Sequence, residues 1–380
     1  MNNQEIISFI KRLYPNMDPV LLHCPQFIGN EKQYLAECID TKYVSYVGHF
    51  VADMENKIKE ITGIKHAIAI VNGTEALHMA LLASGIELGD EVITQSLTFA
   101  ATAAAIVHSG ASPNFIDVDK ETMGMSPKAL KDFLEENTEI VNGTVLNKKT
   151  KKRIRTVVPM HTFGHPCKID KIKKICDEYC LDLIEDAAES LGSFYNGKHT
   201  GTFGKAGILS FNGNKLVTTG GGGMLLTNDD TIAERAKYIS TTAKKPHRWE
   251  FVHTEIGYNL RMPSINAAVG FAQLEYFDTL LSNKRETAVI YKKFFDAQNI
   301  DFIMEPENCK SNYWLNAILV KDKNERDAFL EYANDNGVQA RPIWTLMHKL
   351  KPYEKYQTMD MTNSEYFEER IINIPSSVRV

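Results

Sequence analysis

Three short segments of this sequence place chemically active side chains beside turns rich in small residues. They are "VNGTEAL" (71–77), "LIEDAAES" (183–190) and "SFNGNKLVTTGGGG" (210–223). In the second, an apolar run carries Asp186 to its end and two alanines follow. In the third, Lys215 lies just before a run of glycines. The chemistry to be explained is therefore that of a strand-end carboxylate, an amine and the glycine turn that precedes Thr74.

The first segment is typical of a strand that turns through Gly73 into the start of a helix. Backbone N–H groups at Thr74 and Glu75, together with the Thr74 hydroxyl, would hold an anion there against the positive end of the helix dipole. An ordinary helix cap is the alternative interpretation. Taken alone, the segment favours neither interpretation over the other.

The carboxylate and the amine also have two interpretations each. A buried carboxylate is costly unless it is paired, so Asp186 is either half of a structural ion pair or the partner of a protonated ring nitrogen. A lysine beside glycines is usually solvated, but inside a pocket Lys215 could form a Schiff base. The glycines precede a strand and not a helix, so they are no dinucleotide fingerprint, and "GTFGKAG" (201–207) lacks the spacing of a phosphate-binding P-loop.

Taken together, the anion-binding helix start at Thr74 and Glu75, the strand-end Asp186 and Lys215 are what pyridoxal 5′-phosphate requires. The helix start would anchor its phosphate, and Lys215 would hold its aldehyde as an imine. Asp186 would keep its ring nitrogen protonated so that the ring can absorb electrons. Phe99 could stack on one face of the ring. Ala187 and Ala188 would leave space for the ring on the other face.

The elements that must position these groups alternate along the first two-thirds of the chain. Apolar β-rich runs are each followed by a helical pattern, which indicates a mostly parallel sheet with helices on both faces. The strands are predicted at 67–71, 91–96, 112–119, 156–161 and 181–188, with further strands in "GILSFNG" and "GGMLLTN". In such sheets ligands bind beyond the carboxyl ends of the strands, where the three segments fall.

The fold class is therefore α/β, with a large domain and a small α/β domain at the C-terminus. We predict an N-terminal segment and large cofactor-binding domain over residues 1–262. A connecting helix, or two abutting helices, follows over 263–300, and the small domain covers 301–380.

Composition excludes several classes of partner. The net charge of −5 gives no footprint for nucleic acid. The basic run at 148–155 follows the turn-forming pair Asn142-Gly143, so a solvated hairpin is favoured over a polyanion site. No apolar stretch approaches the roughly 20 residues that span a bilayer, and the N-terminus lacks the features of a signal peptide, which together predict a cytoplasmic protein.

The cysteine pattern predicts neither a disulfide framework nor a metal site. Six cysteines in 380 residues are too sparse for such a framework, and reduced thiols are expected. Cys176 and Cys180 lie one helical turn apart, with Cys167, His161 and His165 upstream. A zinc site would need a second close pair at suitable spacing, and the sequence has none.

At this point the sequence resembles a known family, the DegT/StrS-type nucleotide-sugar aminotransferases, which have the fold-type I architecture and use pyridoxal phosphate. The matching segments run from about residue 24 to the C-terminus. They are "NGTEAL", "LTFAATAAAI", "VVPMHTFG", "IEDAAESLG", "SFNGNKLVTTGGGG", "GYNLRMPSINAAVG" and "ARPIWTLMH".

The resemblance implies a role for each matching residue. Lys215 would bind the cofactor and move the substrate proton, Asp186 would pair with the ring nitrogen, and Thr74, Glu75 and Ser210 would hold the phosphate. Asn259 would reach the cofactor of a neighbouring subunit, which implies a homodimer. The remaining positions are Glu189, where the family usually has Gln or His against the ring hydroxyl, and Arg341, Trp344 and His348 in a substrate-facing segment.

Within the family, the segments look like the branch that aminates C4 of a UDP-linked 4-keto-6-deoxy-N-acetylhexosamine, for legionaminic acid or bacillosamine synthesis. Glutamate is the amino donor that the family implies. A neighbouring branch aminates C8 of a 3,8-dideoxy-octulosonate, and no motif separates the two.

Two other classes are possible for this fold. Members of the family that dehydrate their substrate have histidine in place of the lysine, and Lys215 argues against that reaction. A non-enzymatic sensor would need a damaged site or an added DNA-binding module, and the sequence has neither feature.

Overall fold

The computed structural model describes residues 1–379. The helices are α1 (Asn3–Leu13), α2 (Glu31–Thr41), α3 (His49–Thr62), α4 (Gly73–Ala83), α5 (Ala100–His108), α6 (Pro127–Asn137), α7 (Ile169–Glu178), α8 (Asp230–Ser240), α9 (Ser264–Glu275), α10 (Phe277–Ala297), α11 (Lys323–Asp335) and α12 (Thr362–Arg370). The strands are β1 (His66–Ile70), β2 (Glu91–Gln95), β3 (Ser112–Ile116), β4 (Thr138–Val141), β5 (Thr144–Asn147), β6 (Ile154–Val158), β7 (Asp182–Asp186), β8 (Phe194–Tyr195), β9 (Lys198–His199), β10 (Ala206–Ser210), β11 (Gly223–Thr227), β12 (Asp301–Phe302), β13 (Cys309–Lys310), β14 (Asn316–Leu319), β15 (Arg341–Pro342) and β16 (Ile371–Ile374).

A seven-stranded sheet in the order β1-β11-β10-β7-β6-β2-β3 forms the centre of the molecule. The pairs from β10 to β3 are parallel, whereas β11 is antiparallel to both of its neighbours. The mostly parallel α/β architecture predicted from the alternation of strands and helices is confirmed. Because β7 and β10 are parallel, the chain leaves both strands at the same edge of the sheet.

Helices cover both faces of this sheet, as the strand sequences require. Along β1, Ile68 and Ile70 belong to a core cluster with residues of α4, α5 and α8. The alternate residues Ala67 and Ala69 belong to a different cluster, with α3 and α9. Strands buried on both faces are expected to be continuously apolar, which is how these strands read in the sequence.

A second, antiparallel sheet in the order β12-β14-β16-β15 is built entirely from the C-terminal part of the chain. The stretch from 263 to 298 forms the two abutting helices α9 and α10, one of the two forms expected from its sequence. The division into domains at 262 and 300 stays a prediction.

The first helix packs against the last part of the chain. Ile6 and Ile10 of α1 are fully buried in one apolar cluster with Phe329 of α11 and Ile372 of β16. The amphipathic pattern of the N-terminus therefore serves to cover the C-terminal sheet and its helices.

The basic run at 148–155 follows a hairpin, as predicted. Strands β4 and β5 pair across Asn142 and Gly143, which have φ of 50° and 77°, the left-handed values that such a two-residue turn requires. Lys151 pairs with Glu139 at 2.8 Å, and Arg153 pairs with Asp90. Part of this positive charge is thus paired within the chain.

Two kinds of feature are absent from residues 1–379. None of their helices combines the length and the apolar composition needed to cross a membrane. No three of their His, Cys, Asp or Glu side chains are grouped so that they could hold a metal ion.

Candidate active site

A cavity of about 620 Å³ opens where β7 and β10 end. Gly73, Thr74, Phe99, Asp186, Glu189, Ser210, Lys215, Arg341 and Trp344 line it. A cavity of this size suits a small-molecule ligand. The structure therefore brings together nine of the residues that the sequence marked, from segments more than a hundred residues apart.

One end of the cavity is the N-terminus of α4. Asn72 caps this helix, because its Oδ1 accepts a hydrogen bond of 2.8 Å from the Glu75 amide. The amides at the first positions of a helix have no acceptor within the helix, so those of Gly73 and Thr74 remain available to a ligand. A Cβ at residue 73 would lie 2.9 Å from the Ser210 Cβ, so only glycine lets the helix start so close to Ser210.

Asp186 ends β7 with its side chain buried and 4% exposed. Its Oδ2 accepts a hydrogen bond of 2.7 Å from the Thr102 hydroxyl, and its Oδ1 accepts one of 3.1 Å from the Ala188 amide. Within residues 1–379, no cationic side chain forms an ion pair with this carboxylate. Burial raises the pKa of Asp186, and the Thr102 hydrogen bond opposes that rise.

Lys215 follows β10 and its amine enters the same cavity. The Nζ atom lies 3.7 Å from the centre of the Trp314 ring and 3.5 Å from Glu189 Oε1. The ring itself is held by a hydrogen bond of 2.7 Å from its Nε1 to the Asn214 carbonyl. Burial lowers the pKa of Lys215, while the carboxylates of Glu189 and Asp186 raise it. A lysine in such a place is closer to the neutral, nucleophilic form than a solvated one.

The opposite side of the cavity is aromatic and basic. Phe99 is 53% exposed and lies edge-on to Trp344, with ring centres 6.1 Å apart. The Arg341 guanidinium makes only contacts of 3.5 Å, to Asn334 Oδ1 and to the Ala340 carbonyl. In the described part of the chain Arg341 forms no ion pair, so its charge is free to meet an anionic ligand.

Three other predicted residues do not line the cavity. The Glu75 amide donates to Asn72, and its carboxylate lies 2.9 Å from His78 Nδ1, so a contact with a phosphate would require Asn72 to release the amide. His348 lies 2.7 Å from Ser96 Oγ. Asn259 is on the surface, beside Thr241. The roles of these three residues remain predictions.

Sequence reasoning missed three residues that shape the site. Asn72 could have been recognised, because Asn before a helical pattern is a typical N-cap. Thr102 and Trp314 gave no local signal, since each reaches the site through the packing of a distant segment. Thr102 is on α5, and Trp314 arrives from the C-terminal part of the chain.

The chain is similar to known proteins along most of its length. Residues 25–380 match the DegT/DnrJ/EryC1/StrS aminotransferase family. The chain is 37% identical over 361 residues to a GDP-perosamine synthase of Escherichia coli O157:H7, which covers 95% of this chain and 94% of that protein. It is also 37% identical to the putative pyridoxal phosphate-dependent aminotransferase EpsN of Bacillus subtilis, over 87% of this chain and 82% of that protein. A DegT DnrJ EryC1 StrS aminotransferase from Brucella abortus has the same fold, with a TM-score of 0.83, 26% identity and coverage of 91% of this chain and 90% of that one.

Proposed function

Because the chain belongs to the DegT/DnrJ/EryC1/StrS aminotransferase family, whose members are pyridoxal phosphate-dependent sugar aminotransferases, we propose that it moves an amino group from glutamate to the C4 keto group of a UDP-linked 4-keto-6-deoxy-N-acetylhexosamine. The product would feed legionaminic acid or bacillosamine synthesis. The observation that carries the proposal is the meeting of Lys215 and the unpaired carboxylate of Asp186 in one cavity.

The residues of the cavity fit pyridoxal 5′-phosphate. The carboxylate of Asp186 has hydrogen-bond donors but no cation, which suits a protonated ring nitrogen. The start of α4 with Ser210 and the close approach at Gly73 suits a phosphate. When bound, the cofactor supplies an electron sink for the carbon that loses a proton.

The side chains of this protein supply the remaining chemistry. Lys215 Nζ, once neutral, removes and returns the proton at the carbon that carries the amino group. Asp186 holds a proton on the ring nitrogen through its negative charge. Phe99 and Trp344 give the cavity flat apolar walls, which favour ring-shaped ligands and exclude water.

The positive charge of Arg341 favours the proposal that the substrate is anionic. Arg341 lines the cavity, and its guanidinium has no ion-pair partner among residues 1–379. The diphosphate of a nucleotide sugar and the carboxylates of glutamate both offer the planar oxygen pairs that a guanidinium binds. Arg341 is therefore our candidate for recognition of one of these groups.

GDP is a second candidate for the nucleotide that the sugar substrate carries. The motifs favour UDP, whereas a relative that is 37% identical is named GDP-perosamine synthase, which favours a GDP-linked keto sugar. The octulosonate of the neighbouring branch is the third substrate to compare, because it tests whether a nucleotide is needed at all.

A spectral half-reaction tests the proposal. The enzyme is converted with glutamate to the form that carries the amino group, excess glutamate is removed, and each keto sugar is added separately. We expect the visible absorbance of the lysine-bound cofactor to return with the UDP-linked sugar. Return only with the GDP-linked sugar or the octulosonate would keep the reaction and overturn the substrate. If glutamate leaves the initial absorbance unchanged, the proposed donor is wrong.

We also propose that the enzyme is a homodimer with Asn259 acting across the interface. A segment near Asn259 carries exposed apolar side chains that suit a subunit contact, including Trp249 at 69%, Phe251 at 78% and Ile256 at 90% exposure. These exposed side chains support the proposal, together with the dimer that the family resemblance implies.

Mixing two inactive variants tests this arrangement. We expect Lys215→Ala and Asn259→Ala, each much less active than wild type, to recover about a quarter of wild-type activity after subunit exchange. Half of the dimers would then be hybrids with one intact site of two. Exchange must be verified with two affinity tags. Hybrids that form without recovery would place Asn259 in the site of its own subunit, or outside any site.

Thr102→Val tests the support of Asp186. Loss of a hydrogen bond to a charged group costs about 1.5–3 kcal/mol, so we expect the Kd for pyridoxal 5′-phosphate to rise about tenfold or more. Without this donor the pKa of Asp186 rises further, so more of the carboxyl is neutral at low pH. The defect should therefore be greater at about pH 6 than at about pH 8. Thr102→Ser keeps the hydroxyl and serves as the control; a valine variant that binds like wild type at both pH values would exclude this role.

A further inference from the structure

Glu189 is fixed in one orientation by contacts at both ends of the residue. Its side chain is buried, with Oε2 accepting a hydrogen bond of 2.9 Å from the Phe163 amide. Phe163 has a φ of 57°, an unusual value for a residue other than glycine. The Glu189 carbonyl accepts a hydrogen bond of 2.8 Å from Asn312 Nδ2. These contacts direct the other carboxylate oxygen, Oε1, towards Lys215.

The carboxylate of Glu189 is the proton acceptor that lies close to the Lys215 amine. The Lys215 Nζ lies 3.5 Å from Glu189 Oε1, and the Trp314 ring on its other side offers only a π face. Within residues 1–379 Glu189 is the only residue that forms an ion pair with this amine. A proton can therefore pass between the two groups after a small movement of the lysine.

The surroundings bring the pKa values of the two groups closer together. Burial raises the pKa of Glu189 to about 7, against the effect of the Lys215 charge, and burial lowers the pKa of Lys215. Asp186 raises the pKa of both groups. The Lys215 charge also acts on His23, and burial lowers the pKa of this histidine well below its ordinary value.

We propose that Glu189 and Lys215 hold one proton between them, and that Glu189 takes this proton whenever Lys215 acts as a neutral amine. In this exchange the N–H bond of the ammonium breaks as an O–H bond forms on Oε1. The net charge of the pair stays zero, so a buried site accommodates both forms without a counterion. The inference rests on the proposed function only in that Lys215 is the reactive amine.

The exchange also changes what Glu189 can bind. A carboxylate only accepts hydrogen bonds, whereas a protonated carboxyl also donates one. A glutamine at this position would donate at every pH. A ligand oxygen that can only accept a hydrogen bond is therefore bound well only while Glu189 holds the proton, which makes this contact dependent on the state of Lys215.

The test measures the amine in the full-length chain stripped of cofactor. Trace acetylation with acetic anhydride, followed by mass spectrometry of the peptide that contains Lys215, gives the reactivity of this amine between about pH 5 and pH 10. In wild type we expect the reactivity of Lys215 to rise with pH in two steps with a plateau between them. Over the pH range of the plateau the pair holds one proton, so a fixed fraction of Lys215 is neutral. Glu189→Gln removes the exchange partner, so a single step at lower pH is expected.

Two further measurements make the result decisive. Lys205, which pairs with Asp182 outside the cavity, gives an internal control in the same digest. Infrared spectra near neutral pH should contain a neutral carboxyl band that is absent from Glu189→Gln. If the glutamine variant does not fold, Glu189→Asp should keep two steps with a lower plateau, since the ordinary pKa of aspartate is lower than that of glutamate and more of the shared proton then stays on Lys215.

The outcomes separate this inference from the proposed function. Identical single-step profiles in wild type and the variants, or the lack of a band that depends on Glu189, would overturn the inference. Neither measurement involves a sugar or an amino donor. A failed exchange therefore leaves the half-reaction test intact, and a failed half-reaction leaves the exchange to be judged by itself.

Discussion

Lys215→Ala is expected to abolish amino transfer, with kcat/KM at least about 10⁴-fold below wild type. The variant loses both the amine that bonds to the cofactor and the group that moves the substrate proton, and proton transfer by a positioned side chain alone contributes about 10²–10⁴-fold. No other lysine amine lines the cavity in the described part of the chain. Steady-state rates with glutamate and the keto sugar measure the loss.

Lys205→Ala is the matched control for this prediction. Lys205 lies ten residues before Lys215, at the opposite end of β10, where it pairs with Asp182 at 3.1 Å. Its loss removes a lysine of the same local stretch but leaves the cavity intact, so near-normal rates are expected. Turnover by Lys215→Ala comparable to wild type would remove the aminotransferase assignment for this site.

Asp186→Asn is expected to lower kcat about 10³-fold while the cofactor remains bound to Lys215. Asparagine is close in shape but carries no charge, so the ring nitrogen loses the carboxylate that keeps it protonated. Removing one preorganised electrostatic partner costs about 10²–10³-fold in mutational studies of other enzymes, and the loss here acts on every proton transfer that uses the ring as electron sink. A drop of this size corresponds to about 4 kcal/mol in activation free energy.

The control for Asp186→Asn lies on the same strand. Asp182→Asn, at the start of β7, removes a carboxylate that pairs with Arg155 and Lys205 away from the cavity. We expect it to affect stability slightly and kcat hardly at all. Nitrogen-15 NMR of labelled cofactor would show the ring nitrogen protonated in wild type and unprotonated in Asp186→Asn. Equal rates for the Asp186 variant and wild type would assign the ring nitrogen to another partner.

The elements that carry the site were predictable because their signals are local. Ser126 caps α6 and accepts from the Ala129 amide as its sequence position suggests, and Asn142-Gly143 forms the turn that its left-handed preference favours. The apolar strands that end at Asp186 and Ser210 follow from the need of a parallel sheet to bury both of its faces.

The environment of the reactive groups could not be predicted in this way. Trp314 lies under the Lys215 amine, yet 98 residues separate them, and no periodicity links the two positions. The hydrogen bond from Thr102 to Asp186 likewise depends on how α5 packs beside β7. The acidity of each group is set by such contacts, so the sequence indicated which groups are candidates for the chemistry, whereas their protonation depends on the fold.

The packing of α1 against the C-terminal sheet sets an order of events during synthesis. The apolar stripe of α1 leaves the ribosome long before Ile372 and the other residues of β16 that pack in the same cluster are made. At about 5–20 residues per second, the stripe is made roughly 20–70 seconds before β16. The central sheet can assemble during this interval, whereas the C-terminal unit cannot be completed. Nascent chains stalled before β16 should therefore expose α1 to chaperones and proteases, and completion of the last strand should end that exposure.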